Sequence, residues 1–350
     1  MRVLVVGPLP RFGALNRLPW LNHTAFALRR LGHVVTVATY RESWAASPAV
    51  HARVARIPGA AGALARFAAE MDARRDRLVI AAARRVRPEL TIVLKGEVFS
   101  DETIAAVKQA GAGPMVTWWG DDPFVFPAAV RQFRLFDRVF VFDRGYLPDL
   151  AALGFTHATF LPAACDEMVF RPMTLSSAER RRFGADVSFV ATYDPSRGAL
   201  VRALADAAID VGVWGTGWRG AAEIARDNGR LVRGGVVDDH RAAKIYNASK
   251  IGLNLHHRQT RVAGINLRTL ELLAAGTLPL MDHIEGVEEL LEPGREVVCY
   301  RSTDEAVDLA HHYLKDVAAR AAIVARGRAR VLAEHTYTVR LQTLCRIARP

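Results

Sequence analysis

Cysteine is scarce in this chain, and no apolar run is long enough to span a membrane. Its three cysteines, Cys165, Cys299 and Cys345, lie far apart and form no CxxC or Cys/His pattern, which argues against a disulfide framework and against a zinc site. No stretch approaches the roughly 20 apolar residues of a transmembrane helix, and the first residues read as a strand rather than as a signal peptide. We therefore expect a cytoplasmic protein with reduced thiols and no bound metal.

Lysine is scarce too, although the net charge is strongly positive. The chain of 350 residues has 47 Lys and Arg against 36 Asp and Glu, a net charge of +11. Only five of these bases are lysines: Lys95, Lys108, Lys244, Lys250 and Lys315. Residues 1–170 carry 21 bases and 15 acids, and residues 171–350 carry 26 and 21. A nucleic-acid partner would favour clustered bases, so the even spread argues against one.

Short apolar runs alternate with segments of helical period along the chain, which is typical of βαβ units and predicts a mainly parallel sheet. The alternation of strand-like and helix-like segments is interrupted at residues 162–185 and continues after them. We therefore predict an α/β protein with two Rossmann-like domains facing across a cleft, at residues 1–170 and 171–335. Residues 336–350 are predicted to form a C-terminal helix that returns to the first domain. One long helix is predicted from Thr303 to Ala333.

In open parallel sheets, ligands bind at the carboxyl ends of strands, so the segments that follow strands are the candidate sites. The first such loop, residues 7–13, is not GxGxxG, and no acidic residue ends the second predicted strand. This argues against a dinucleotide site and leaves either a ligand-facing loop or a plain tight turn. His23 opens the next helix, where it has either a structural role or a role at the acceptor.

Residues 118–123, Trp-Trp-Gly-Asp-Asp-Pro, follow another predicted strand. Aromatic rings stack on the faces of sugars, and a carboxylate can orient or deprotonate a hydroxyl. Asp121 and Asp122 are therefore candidate catalytic residues. The alternative is a capping aspartate before a proline at the start of a helix.

The second half contains two further strand-to-helix segments. Ser196 is predicted to cap a helix, and Arg197 in its first turn is a candidate phosphate ligand, the alternative being a plain surface arginine. Gly215 and Gly217 would let the backbone approach a ligand closely, and Trp218 adds a ring that could stack on a base.

Residues 264–280 form the most informative segment. Leu267 to Ala275 is predicted to be a helix that ends at Gly276. Asn266 and Arg268 stand at its start, where backbone amides and the helix dipole favour a diphosphate. The carboxylate of Glu271, a turn further on, could accept both ribose hydroxyls. The alternative is that Arg268 and Glu271 form a simple ion pair.

Taken together, these segments resemble the CgeB-like (spore maturation protein) glycosyltransferase family, which has the GT-B fold. The resemblance covers about residues 115–340. It rests on the runs at 118–123, 161–164, 170–172, 186–190, 214–218, 246–254 and 266–276 and on His335-Thr336-Tyr337.

The resemblance implies transfer of a sugar from a UDP-, GDP- or dTDP-sugar to an unidentified acceptor, which could be a protein, glycan, lipid or small molecule. The first domain would hold the acceptor and the second the donor. Such enzymes usually need no metal, so cations must stabilise the leaving diphosphate, and the candidates are Arg197, Lys250 and Arg268. The acceptor-side base of an inverting reaction would be Asp121, Asp122 or His23. In a retaining reaction the outgoing phosphate itself could take the proton.

Many GT-B enzymes carry an acidic-x7-acidic motif, and this chain matches it only in part. Glu271 stands at the place of the second acid, which contacts the ribose, but Ala263 stands at the place of the first.

Three alternatives remain open at this stage. The same fold suits a nucleotide-sugar epimerase or a binding protein that has lost catalysis. The predicted helix at residues 62–86 carries six arginines, so a peripheral contact with an anionic membrane is a further hypothesis, against that of a solvated helix face.

Overall fold

The computed structural model describes residues 1–8, 19–40, 57, 60–257 and 259–349. Most of the predicted loop at 7–13 lies outside these residues. Contacts group the chain into two compact units. The first comprises Met1–Val141, Tyr146–Leu161 and Leu341–Pro350, and the second comprises Phe142–Gly145 and Pro162–Arg340.

The first unit contains a six-stranded sheet in the order β2-β1-β3-β4-β5-β6, and all neighbouring strands are parallel. Its strands are β1 Arg2–Pro8, β2 Val34–Tyr40, β3 Leu90–Leu94, β4 Met115–Trp119, β5 Arg138–Val141 and β6 Ala158–Phe160. Its helices are α1 Pro19–Arg30, α2 Ala60–Val86, α3 Asp101–Ala110, α4 Pro127–Gln132 and α5 Leu147–Ala152.

The second unit contains another parallel six-stranded sheet, in the order β12-β11-β10-β7-β8-β9. Its strands are β7 Ala185–Val190, β8 Val211–Trp214, β9 Val232–Gly234, β10 Ser249–Asn254, β11 Leu278–Asp282 and β12 Val298–Tyr300. The helices from here to the end of the chain are α6 Ser177–Phe183, α7 Pro195–Asp206, α8 Asn228–Leu231, α9 Asp239–Ala248, α10 Leu267–Ala275, α11 Thr303–Lys315, α12 Val317–Glu334 and α13 Tyr337–Ala348. From Leu341 onward, α13 is grouped with the first unit.

The central strands are apolar runs rather than alternating patterns. Every residue of β3, β4 and β8 is buried, as expected for parallel strands covered on both faces. The apolar runs at residues 90–94, 115–119 and 211–214 of the sequence predict these three strands, and these bounds are confirmed. The helix at Leu267–Ala275 is confirmed too, with Gly276 as its left-handed C-cap at φ 88°.

The predicted helix from Thr303 to Ala333 is wrong as a single element. The backbone of Asp316 leaves the helical conformation, at φ −84° and ψ 85°. Its carboxylate then accepts the N–H of Ala319 at 2.8 Å and so caps the next helix. An aspartate that caps a helix thus separates α11 from α12. Within the described residues, no helix combines the length and apolarity needed to cross a bilayer.

Candidate functional site

The strand order of the second sheet reverses between β7 and β10, so this is where a ligand is expected. Helix α7 begins soon after β7, and the residue that caps α10 contacts the end of β10. The N-termini of both helices therefore lie at this edge, where their dipoles favour an anion.

Arg268 connects the ends of the two strands. Its Nε donates to the carbonyl oxygen of Val190 at 2.7 Å, and one terminal nitrogen donates to Oδ1 of Asn254 at 2.7 Å. Val190 ends β7 and Asn254 ends β10. The guanidinium group is therefore held directly at the reversal point.

Arg197 reaches the same place from the first turn of α7. It donates to the carbonyl oxygens of Thr192 at 2.9 Å and Leu255 at 3.0 Å. Both guanidinium groups lie near the ring of Phe189, with 6.0 Å from Arg197 and 5.6 Å from Arg268 to its centroid. Burial and the neighbouring charge of Arg268 lower the pKa of Arg197, as expected where two like charges repel each other.

Neither arginine forms an ion pair with another of the described residues. The oxygens that accept hydrogen bonds from the two guanidinium groups belong to backbone carbonyls and an amide, and within the described residues neither group contacts a carboxylate. The ion pair between Arg268 and Glu271, the alternative left open by the sequence, is therefore absent. Two half-buried cations that contact no carboxylate of the described residues make a site suited to an anion with several oxygens.

Asn254 organises the cations and the start of α10, and it was not among the predicted site residues. It is fully buried, and its amide pairs with that of Asn266 through bonds of 3.0 and 3.1 Å. It also donates to Oγ1 of Thr269 at 2.8 Å. Asn266 in turn accepts the N–H of Arg268 at 3.1 Å and caps the helix. An asparagine directly after the apolar run at residues 251–253 was the available signal.

The start of α7 differs from the prediction. The capping residue is Asp194, whose carboxylate accepts the N–H of Ser196 at 3.0 Å, so the prediction of Ser196 as the cap is wrong. Proline at the first helical position explains the shift, because its fixed φ suits that place.

The Gly-Thr-Gly-Trp segment has a role in packing. A Cβ on Gly215 would lie 1.9 Å from the carbonyl oxygen of Ala191, and Gly217 adopts a φ of 84°. The ring of Trp218 is 0% exposed, and its indole nitrogen donates to that same carbonyl at 2.6 Å. The prediction that this ring stacks on a base is therefore corrected, because the ring lies within the core.

Lys250 does not belong to the arginine site. It lies at the amino end of β10, four residues before Asn254, and strands rise by about 3.3 Å per residue. Its ammonium group is ion-paired with Asp186 at 2.7 Å. The predicted contact of Lys250 with a leaving diphosphate is thus corrected by its position at the opposite edge of the sheet.

Glu271 lies in the second turn of α10 and is partly buried. The hydroxyl of Tyr246 donates to its Oε2 over a long 3.4 Å. The predicted contact with a ribose stays a prediction.

Two predicted residues of the first unit have local partners. Asp121 is ion-paired with Lys95 at 2.7 Å, and Asp122 accepts the N–H of Phe124 at 2.9 Å and caps a short turn. The latter contact is the capping interaction that the sequence left open. Trp118 and Trp119 are at most 1% exposed, so neither ring is available to stack on a sugar.

His23 belongs to α1 and is 6% exposed. This burial leaves the choice between a structural role and a role at the acceptor open.

Asp143, which sequence reasoning missed, supports the loop that precedes α10. Its carboxylate accepts the N–H groups of Gly145, Arg261 and Val262 at 2.8, 2.6 and 2.9 Å. A Cβ on Gly264 would lie 2.2 Å from the same carboxylate. Asp143 therefore fixes the loop in which Ala263 replaces the first acid of the motif. Sequence reasoning missed this role of Asp143 because the residue lies more than 100 positions before that loop.

Comparison with known proteins gives a partial family match and a clear fold match. Residues 197–346 match the family model described as glycosyl transferase-like. A comparison with curated protein sequences finds no match. The CgeB-like assignment therefore stays a prediction.

Several solved structures match over nearly the whole of both chains. HepE from Anabaena in complex with UDP and glucose has 14% identity, a TM-score of 0.65 and coverage of 99% of this chain and 98% of that one. Sucrose-phosphate synthase from Thermosynechococcus elongatus has 13% identity, a TM-score of 0.67 and coverage of 98% of each chain. The E. coli trehalose-6-phosphate protein bound with UDP-2-fluoro glucose has 14% identity, a TM-score of 0.68 and coverage of 100% and 99%. The predicted α/β fold class, GT-B with two Rossmann-like domains, is confirmed.

Proposed function

We propose that this chain is a glycosyltransferase that uses a nucleotide-diphosphate-sugar as donor, with the donor bound in the second unit. The observation that carries the proposal is the pair of guanidinium groups, Arg197 and Arg268, at the strand-order reversal without a carboxylate partner. A diphosphate carries negative charge that would pair with both arginines, and it has enough oxygens to accept hydrogen bonds from both guanidinium groups.

Two comparisons support the proposal. The glycosyl transferase-like match begins at Arg197 itself and includes the whole of α10. The similar HepE structures hold UDP, UDP and glucose, or UDP-glucose. UDP-sugars are thus the first donors to test, with GDP- and dTDP-sugars beside them.

In the proposed reaction, the bond between the anomeric carbon and the β-phosphate oxygen breaks, and its electron pair stays on that oxygen. The growing charge on this oxygen is stabilised by Arg197, by Arg268 and by the N-termini of α7 and α10. In the proposal these groups replace a metal ion. Glu271 is proposed to bind the ribose hydroxyls. The sugar passes to an acceptor hydroxyl, which loses its proton.

Asp121, Asp122 and His23 remain the proposed proton acceptors of an inverting reaction. Asp121 already holds Lys95, and Asp122 caps a turn. Each carboxylate has a second oxygen that can take a proton while this contact is kept. The alternative, a retaining reaction in which the outgoing diphosphate takes the proton, needs no protein base.

The proposal is tested by thermal unfolding with UDP, GDP and dTDP, each compared with its nucleoside. A ligand at about 100 times its Kd should stabilise the fold by about 2.7 kcal/mol. One diphosphate should stabilise the protein and its nucleoside should not, because the phosphates supply the charge. If no diphosphate shifts the transition, the proposal is wrong.

The products formed from the tightest UDP-, GDP- or dTDP-sugar separate the remaining alternatives. A transferase makes a new glycoside only with an acceptor, whereas an epimerase converts the donor alone. A binding protein that has lost catalysis would bind the donor and turn over neither.

Glu271→Ala tests the proposed ribose contact. We expect about a tenfold loss of nucleotide affinity with little change in the melting temperature of the free protein, because the proposed role of Glu271 is to bind the ligand and not to hold the fold. Glu271→Gln is the matched control, since it keeps the shape and loses one acceptor oxygen. A large fall in the melting temperature of the free Ala variant would indicate a structural role instead.

A further inference from the structure

His256 and Asp282 form a buried pair at the same edge of the second sheet. Asp282 is the last residue of β11, and His256 stands two residues beyond the end of β10. Nδ1 of His256 lies 2.7 Å from Oδ1 of Asp282, and the backbone N–H of His256 donates to that same oxygen at 2.8 Å. Because a carboxylate accepts, Nδ1 carries the hydrogen, and the orientation of the ring is fixed from both its backbone and its side chain.

The other ring nitrogen has no partner. The side chain of His256 is only 2% exposed, and its Nε2 is buried without a hydrogen bond among the described residues. Buried polar atoms in native proteins nearly always have a partner, since leaving one unpaired costs free energy. Nε2 is an acceptor in the neutral ring and a donor in the charged ring, so it can pair with a sugar hydroxyl or a phosphate oxygen.

The pair adjoins the two arginines. The carbonyl oxygen of Leu255, directly before His256, accepts a hydrogen bond from Arg197. Burial and Arg268 lower the pKa of Arg197, and the charge of Asp282 opposes this shift, which places Asp282 within electrostatic reach. Nδ1 faces Asp282, so Nε2, on the far side of the ring, faces away from it.

We propose that His256 contacts the donor: its Nε2 hydrogen-bonds the diphosphate-sugar part of the nucleotide sugar, and Asp282 is the positioning residue that aims it. This inference rests on the proposed function and extends it, because neither residue belongs to the motifs that suggested a donor site. The buried Nε2 and the two arginines, none of which pairs with a carboxylate of the described residues, would then bind the same ligand.

The test uses two variants that each keep one end of the imidazole. His256→Asn keeps a hydrogen-bonding group at the place of Nδ1, facing Asp282, and loses Nε2. His256→Gln reaches the place of Nε2 and loses the contact with Asp282. Binding of UDP-glucose, GDP-glucose and dTDP-glucose is measured by calorimetry on the full chain, and the melting temperature of each free protein is recorded.

We expect His256→Asn to lose about tenfold in affinity for the donor that the unchanged protein binds best, or about 1.4 kcal/mol, with little change in its melting temperature. His256→Gln should recover part of that affinity even if it lowers the melting temperature. The ¹⁵N signal of His256 Nε2 should also shift when this donor is added, which a merely structural histidine would not show.

Two outcomes overturn the inference in distinguishable ways. If the unchanged protein binds none of the three donors, the proposed function fails, and the role of His256 fails with it. If the unchanged protein binds one donor, but His256→Asn binds it within twofold and Nε2 does not shift, only the role of His256 is wrong.

Discussion

At the carboxyl edge of the first sheet, Lys95 stands between two carboxylates, whereas the arginines at the corresponding edge of the second sheet contact none in the part of the chain that the structure describes. The ammonium of Lys95 lies 2.7 Å from Asp121 and 3.3 Å from Glu97. Burial lowers the pKa of Lys95, but Glu97 and Asp121 outweigh it and leave the pKa above its usual value. The carboxyl edges of the two sheets thus differ in whether carboxylates of the described chain form ion pairs with their cations.

This difference separates a charge that stabilises the fold from charges that we propose bind a ligand. A neutralised cation stabilises the fold, and its removal leaves carboxylates unpaired. An uncompensated pair of like charges costs stability, and its removal should leave the fold intact while abolishing anion binding. The following substitutions test each side of this comparison.

The largest effect is expected for the double substitution of Arg197→Met and Arg268→Met. Each charged hydrogen bond contributes about 1.5–3 kcal/mol, so the affinity for the nucleotide diphosphate should fall by at least about 100-fold. The melting temperature of the free protein should change little, because relief of the like-charge repulsion opposes the loss of the hydrogen bonds that the two guanidinium groups donate. Calorimetry and thermal unfolding measure the two quantities.

Arg202→Met is the matched control for this experiment. Arg202 lies on the same helix as Arg197 but is ion-paired with Asp206 and Asp227. Nucleotide affinity should be unaffected. If the double variant still binds within tenfold of the unchanged protein, or Arg202→Met loses as much, the contrast between the two edges has no functional meaning.

Lys95→Met should show the opposite behaviour. Its removal leaves the carboxylate of Glu97, only 12% exposed, without its cation, and we expect a loss of about 2 kcal/mol in the free energy of unfolding. Nucleotide affinity should not change. Urea unfolding measures the first effect and calorimetry the second.

Lys108→Met controls for a lysine with an exposed partner. Lys108 and Asp137 are 38% and 40% exposed, so their ion pair should contribute less than about 1 kcal/mol. Equal losses for the two lysine variants would show that the edge position of Lys95 adds nothing.

Asn254→Asp would give the second edge a carboxylate of its own. The new charge would stand where Oδ1 now accepts from Arg268 at 2.7 Å, and would neutralise the cation that the donor needs. We expect roughly a tenfold loss of nucleotide affinity, or about 1.4 kcal/mol, with the helical content by circular dichroism retained. Unchanged affinity would mean that the charge of Arg268 is not used for binding.

The sequence predicted the fold well because the relevant signals are local. Apolar runs located β3, β4 and β8, and a glycine in the left-handed region ended α10 as expected. The break at Asp316 was missed because capping overrode a helical pattern that continues on both sides.

The site was predictable only where its residues share one segment. Asn266 and Arg268 stand at one helix start, and Arg197 at another, so position in the chain pointed to them as candidates. Asn254, Asp143 and the pair of His256 and Asp282 act through contacts between distant segments, which spacing does not reveal. Lys250 and Trp218 were misassigned because sequence does not tell which end of a strand, or which side of a loop, a side chain occupies.

The smallest effect concerns a feature that both edges share, a residue other than glycine at positive φ. Lys95 has a φ of 65° and Ala263 a φ of 55°, a conformation that costs roughly 1–2 kcal/mol for residues with a Cβ. At Lys95 the side chain offsets this cost through its ion pairs, but the methyl group of Ala263 forms none.

Ala263→Gly should therefore relieve strain, although the entropy of glycine and the lost methyl contact oppose the gain. We expect a change of at most about 1 kcal/mol towards stability in urea unfolding, with nucleotide affinity retained. Ala263→Val, which places a branched side chain at the same φ, should destabilise the fold clearly. If both variants unfold like the unchanged protein, this position is not strained, and the two edges differ in their charges alone.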